Sequence, residues 1–88
     1  MWMIQVFRAG EVVVFRLSGR LEHAHLMELR KVFDSEPRSE NVAIDLGGVK
    51  LVDREVVTFL ARSERDGMQL RNCPLYIREW ITRENDGD

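Results

Sequence analysis

Residues 42–55 read Val-Ala-Ile-Asp-Leu-Gly-Gly-Val-Lys-Leu-Val-Asp-Arg-Glu. A short β-branched run ends at Asp45, two glycines follow, and Asp53 stands where a helix can begin. Beyond it Val56, Val57, Leu60 and Ala61, helped by Phe59, recur at helical spacing. A short strand without polar alternation is what a sheet covered by helices requires. The handover from such a strand to an amphipathic helix therefore commits the chain to a βα unit and a largely parallel sheet. Read this way, 41–45 is a strand, Gly47-Gly48 a tight turn, and Arg54–Asp66 a helix capped by Asp53 and stopped by Gly67.

The same reasoning extends outward in both directions. Ile4–Arg8 and Val12–Ser18 read as a hairpin around Ala9-Gly10-Glu11, with Val13, Phe15 and Leu17 on one face and Arg16 and Ser18 on the other. Gly19-Arg20-Leu21 turns the chain into a helix over Glu22–Phe33, whose stripe is Leu26, Leu29 and Phe33. Asp34–Glu40 is a loop in which Pro37 blocks continuation of the helix. Met68–Arg71 is a fourth strand. After the break at Asn72-Cys73-Pro74, a last helix covers Leu75–Arg83 and docks through Tyr76, Ile77, Trp80 and Ile81; of the two tryptophans, core or edge anchors both, Trp80 is the firmer core candidate over Trp2. The expected fold class is α/β: a mixed, mostly parallel four-stranded sheet with an N-terminal β-hairpin and crossover helices. One domain spans 1–83, and 84–88 form a flexible tail.

Composition excludes several functions. The 88 residues carry a formal net charge of -2, so no general attraction to nucleic acid or anionic lipid is expected. The longest apolar run, Val12–Phe15, is far too short to span a membrane. The N-terminus lacks the basic start and long apolar stretch of a signal peptide, so the expected location is cytoplasmic. The single Cys73 excludes an internal disulfide, and no cysteine pair offers metal-ligand spacing. His23 and His25, two apart at a helix start, point in different directions and read as surface polar residues rather than ligands. No base converges on Cys73, and Lys50 beside Gly47-Gly48 does not make a phosphate loop. No cofactor, no metal and no catalytic residue is expected.

Taken together, Leu17-Ser18-Gly19-Arg20-Leu21-Glu22, Asp45-Leu46-Gly47-Gly48-Val49 through Asp53, and Asn72 with Pro74 resemble the motifs of the STAS domain, the fold of bacterial anti-sigma factor antagonists. The resemblance runs from Val12 to Ile81, and the chain ends sooner than most such domains. That family carries Ser-Ser-Gly after the second aspartate, the first serine being the phosphoacceptor. Here Arg54, Glu55 and Val56 stand in those places, so no phosphorylation site carries over. The resemblance implies a non-catalytic module in transcription regulation or signalling. Its protein partner would be an anti-sigma factor or kinase-like regulator, and a homodimer is compatible with it. The implied partner surface is Arg20, Glu22, Gly48, Asp53, Arg54, Glu55 and Thr58. The alternative is a small-ligand or anion-binding domain, or the accessory subunit of an enzyme, using helix N-termini to hold the anion.

Within that surface Asp53 has two readings, a helix cap and a partner contact beyond it. Arg54 opposes the helix dipole. It is either a solvated remnant of a lapsed switch or a fixed charge for an acidic partner. Glu55 can also be read as a permanent phosphoserine mimic, placed one position late.

Overall fold

The computed structural model describes residues 1–35 and 41–86. Its elements are β1 (Trp2–Ala9), β2 (Val12–Leu21), a 3-10 turn (His23–His25), α1 (Leu26–Ser35), β3 (Val42–Val52), α2 (Arg54–Arg65), β4 (Gln69–Arg71) and α3 (Leu75–Asp86). Sheet order follows chain order, β1-β2-β3-β4. β1 and β2 are antiparallel, while β2–β3 and β3–β4 are parallel. Leu29 of α1 and Val57 and Leu60 of α2 share one core cluster with the sheet, so both helices lie on one face, as the usual right-handed crossovers running the same way across a sheet require. The core lies there: Leu17, Ile44 and Leu46 of the sheet meet Leu29 of α1, Val57 and Leu60 of α2, and Ile77 and Ile81 of α3. The opposite face presents Met3, Gln5, Phe7 and Arg16. The expected class, a mixed and mostly parallel four-stranded α/β sheet, is the observed one.

Several local readings need correction. Gly47-Gly48 is not a turn; both glycines lie inside β3, which runs on to Val52. A register shift between Arg16 and Ser18 lets β2 and β3 stay paired past them, so this is a bulge. Asp45 Oδ1 accepts the Gly47 N–H at 2.9 Å, and a side chain at Gly48 would meet Ser18 Cβ at 2.8 Å. The glycines are there for close strand approach, not for reversal.

Gly19-Arg20-Leu21 likewise belongs to β2. The helical spacing over Glu22–Phe33 is realised as the 3-10 turn and then α1, which ends at Ser35. Asp34 and Ser35 thus complete α1, while residues 36–40, with Pro37 among them, lie outside the described residues.

α3 continues to Asp86, three residues past the expected end at Arg83, while 87–88 lie outside the described residues. Its core residues are Ile77 and Ile81, both fully buried. Trp80 is half-buried against their cluster and Tyr76 is exposed. The buried stripe is therefore narrower than the expected four residues, with Trp80 at its edge and Tyr76 outside it. In the same orientation Arg78 reaches α2 and donates to both carboxylate oxygens of Glu64 at 2.8 and 2.9 Å. The Arg78 contact holds the Glu64 carboxyl below its usual range.

Candidate functional site

The site is assembled where β3 hands over to α2. Asp53 has extended backbone, and its Oδ1 accepts the Val56 N–H at 3.0 Å, the N-cap bond that its position in the sequence leads one to expect. The cap also has a second function. Asp53 Oδ2 accepts the His23 backbone N–H at 2.7 Å and lies 3.1 Å from His23 Nδ1. One carboxylate thus ties the turn after β2 to the start of α2. Burial alone would raise the Asp53 carboxyl. The N–H groups of His23 and Val56 and the His23 ring outweigh it and hold the carboxyl below the ordinary range. The hydrogen bond to Asp53, with the Glu55 charge behind it, raises the His23 imidazole.

His25 turns the other way, as its spacing from His23 dictates. Its ring stacks on Trp2 with centroids 5.0 Å apart, and its Nδ1 accepts the Glu22 N–H at 3.1 Å. Glu22 is exposed at the head of the turn, and Arg20 is exposed on the last stretch of β2, opposite Leu51. Arg54 points into solvent with 78% of its side chain exposed, and its Nε donates to Glu84 Oε1 of α3 at 3.2 Å. The cation at this helix start therefore has its counter-charge within the fold, in a stretch that the sequence reads as tail. Glu55 is exposed, and the half-buried Thr58 donates its hydroxyl to the Arg54 carbonyl at 3.1 Å. Glu22, Asp53, Arg54, Glu55 and Thr58 thus gather around the start of α2. Gly48 stands apart on β3, paired with Ser18.

A groove of about 580 Å³ opens from this point between α1 and α2, with His23, Glu55 and Thr58 at one end and Arg30, Phe59 and Arg62 further along. Arg30 sits over the Phe59 ring, 5.8 Å from its centroid.

A second carboxylate, Asp45, anchors the sheet side. It accepts from Gly47 N–H and Asn72 Nδ2, the latter at 3.2 Å, and faces Arg16 Nε at 3.5 Å. Burial would raise its carboxyl, but these three partners together lower it. Asn72 adopts φ 53°, the left-handed conformation that Asn tolerates, and so carries the chain from β4 toward α3.

Cys73 is half-buried and burial pushes its thiol up, the wrong direction for a nucleophile. Among the described residues no three His, Cys, Asp or Glu side chains cluster to hold a metal ion. Nor, among them, is any helix long and apolar enough to cross a membrane.

Sequence reasoning missed His23 and Glu84, each thirty positions from the group it binds. No local signal marks either one.

The His23–Asp53 pair predicts a pH dependence with a definite sign. Because the His23 pKa is raised, its contribution is complete below the ordinary imidazole value of 6.5 and fades as pH rises through the raised value. Because the Asp53 pKa is lowered, its contribution is present above the ordinary 3.8 and fades as pH falls through the lowered value. The melting temperature of His23→Gln should therefore lie furthest below wild type between those two values. The gap should close as the solution is made more alkaline. Parallel melting curves for the two proteins across the whole range would show that the ring contributes nothing.

Comparison with known proteins bears on this arrangement. A family model described as Mlab, STAS domain, matches residues 4–79. The anti-sigma factor antagonist SpoIIAA in its unphosphorylated form superposes with a TM-score of 0.70 at 18% identity, covering 92% of this chain and 83% of its own. The STAS domain of an antisigma-factor antagonist from Rhodobacter sphaeroides gives 0.62 at 21% identity, over 80% and 83%. A protein of the DUF3478 family from Shewanella loihica, described as having a SpoIIAA-like fold, gives 0.54 at 17% identity, over 98% and 78%. No curated protein sequence matches the chain. At these identities the likeness to the solved structures is one of fold.

Proposed function

The chain belongs to the STAS domain family, and we propose that it serves as a non-catalytic interaction module that binds an anti-sigma factor or kinase-like regulator through the surface at the start of α2. The observation that carries this reading is Arg54. By the motif resemblance it stands where the family has its phosphoacceptor; it keeps 78% of its side chain in solvent and has no hydroxyl to phosphorylate. Binding in this proposal is constitutive, set by partner abundance rather than by a phosphate. In this proposal Glu22, Asp53, Arg54, Glu55 and Thr58 form the contact surface, with Arg20 and Gly48 at its margin on the sheet.

The first test is chemical. Incubation with a kinase-type anti-sigma factor and ATP, followed by mass spectrometry, should leave residues 53–58 unmodified. The Thr58 hydroxyl is already committed to the Arg54 carbonyl. A phosphate on Thr58 would mean that the switch has moved one helical turn and is not lost.

The second test separates binding by Arg54 from its internal pairing. In calorimetry against a kinase-type anti-sigma factor, Arg54→Ser should weaken binding by about 1–3 kcal/mol, the scale of a lost charged hydrogen bond. Glu84→Gln, which frees the same guanidinium, should not weaken it. Equal affinities for wild type and Arg54→Ser would remove Arg54 from the contact surface.

A further inference from the structure

β1 is one edge of the sheet, eight residues long and paired to β2 without a register shift. Exposed edges are usually blunted by proline, lysine, bulges or shortness. β1 reads Trp-Met-Ile-Gln-Val-Phe-Arg-Ala and has none of these, with Arg8 its single charge. Met3, Val6 and Phe7 on it are 54%, 38% and 37% exposed.

The backbone fixes which groups are free. Arg20 N–H donates to the Met1 carbonyl, and the register runs on from there with Trp2 opposite Gly19. In an antiparallel ladder hydrogen-bonded residues alternate, so Met3, Gln5, Phe7 and Ala9 bond to β2. Trp2, Ile4, Val6 and Arg8 turn their N–H and C=O outward. The Val13 N–H agrees, pointing away from β1 to the Asn41 carbonyl.

We propose that this edge pairs with β1 of a second copy of the chain, antiparallel about a two-fold axis at Gln5, joining the two sheets into one. Only outward-facing residues can make the new hydrogen bonds. Centring on Gln5 sets Ile4 against the partner's Val6 and Trp2 against the partner's Arg8, which uses all four of them on each strand. Centring on Ile4 leaves Arg8 unmatched, and centring on Val6 leaves Trp2 unmatched. Side chains favour the same register. On the open face Gln5 meets its own copy and Met3 meets the partner's Phe7, while the sole cation of each strand falls beside an indole and no like charges oppose. The strand is thus self-complementary about its centre, as an isologous contact requires.

Three variants of the full chain test this. Wild type should sediment at twice the monomer mass at high concentration. Val6→Pro removes an outward N–H that β2 does not use and is tolerated on an edge. It should sediment at the monomer mass with an unchanged far-ultraviolet spectrum. In a Cys73→Ser background, Gln5→Cys should cross-link on mild oxidation, because non-hydrogen-bonded partners on the two-fold lie within about 4.5 Å between Cα atoms. Met3→Cys, which faces Phe7 instead of itself, should not cross-link. A wild type that stays monomeric overturns the proposal, including one whose edge takes up an extended peptide instead. Equal cross-linking of the two cysteine variants overturns it as well, and decides the question even if Val6→Pro fails to fold.

Discussion

Ile77→Ala should cost the protein about 2–5 kcal/mol, the range for deleting a fully buried aliphatic side chain. Ile77 has no exposed surface and sits in the same cluster as Leu17, Ile44 and Leu60. With Ile81 it is one of the two buried residues that α3 contributes. The helix therefore has little redundancy, since the remaining apolar contact is the half-buried Trp80. In an 88-residue chain the total margin is at the low end of the usual ~5–15 kcal/mol, so this one substitution can exhaust much of it. Urea denaturation of Ile77→Ala, Trp80→Ala and wild type measures the ranking. Trp80→Ala should shift the midpoint less than Ile77→Ala despite removing the larger side chain. A larger shift for Trp80→Ala would mean that Trp80, and not Ile77, is the main anchor of α3.

Gly19→Ala should be the next most damaging change. Gly19 has φ +85°, and a Cβ there would lie far inside contact distance of the Met1 carbonyl oxygen and 3.0 Å from Trp2 Cα. The unfavourable backbone alone costs about 1–3 kcal/mol for a non-glycine residue. The clash adds to this, because the Met1 carbonyl is the group that accepts the Arg20 N–H at 3.2 Å. Relief requires the start of β1 to peel from β2, which pulls Trp2 from His25. Gly19→Ala should therefore lower the urea midpoint and change tryptophan fluorescence before global unfolding. Gly10→Ala is the control. It shares the positive φ, but nothing lies within 4 Å of its Cβ, so it should show strain without peeling. Identical midpoints for the two variants would place the whole effect in backbone strain and none in the clash.

Much of this fold is legible residue by residue. The alternation of Val13, Phe15 and Leu17, the stripe Val56, Val57, Leu60 and Ala61, the cap at Asp53 and the stop at Gly67 are all local signals. They are written within a turn or two of chain and survive into the structure because nothing distant opposes them. Their order alone implied the parallel sheet and its helices. The tertiary structure decided what depends on partners far along the chain. Gly47-Gly48 reads locally as a turn, yet pairing with β2 keeps β3 going through it, since Gly48 gives Ser18 room. Tyr76, Ile77, Trp80 and Ile81 read as one docking side, yet the sheet and α2 bury only Ile77 and Ile81 fully, leaving Trp80 at the edge and Tyr76 exposed. At the candidate site, sequence placed Asp53, Arg54 and Glu55 side by side. Only folding brought His23 to Asp53 and Glu84 to Arg54, because a hydrogen bond across thirty residues leaves no periodicity for a sequence to display.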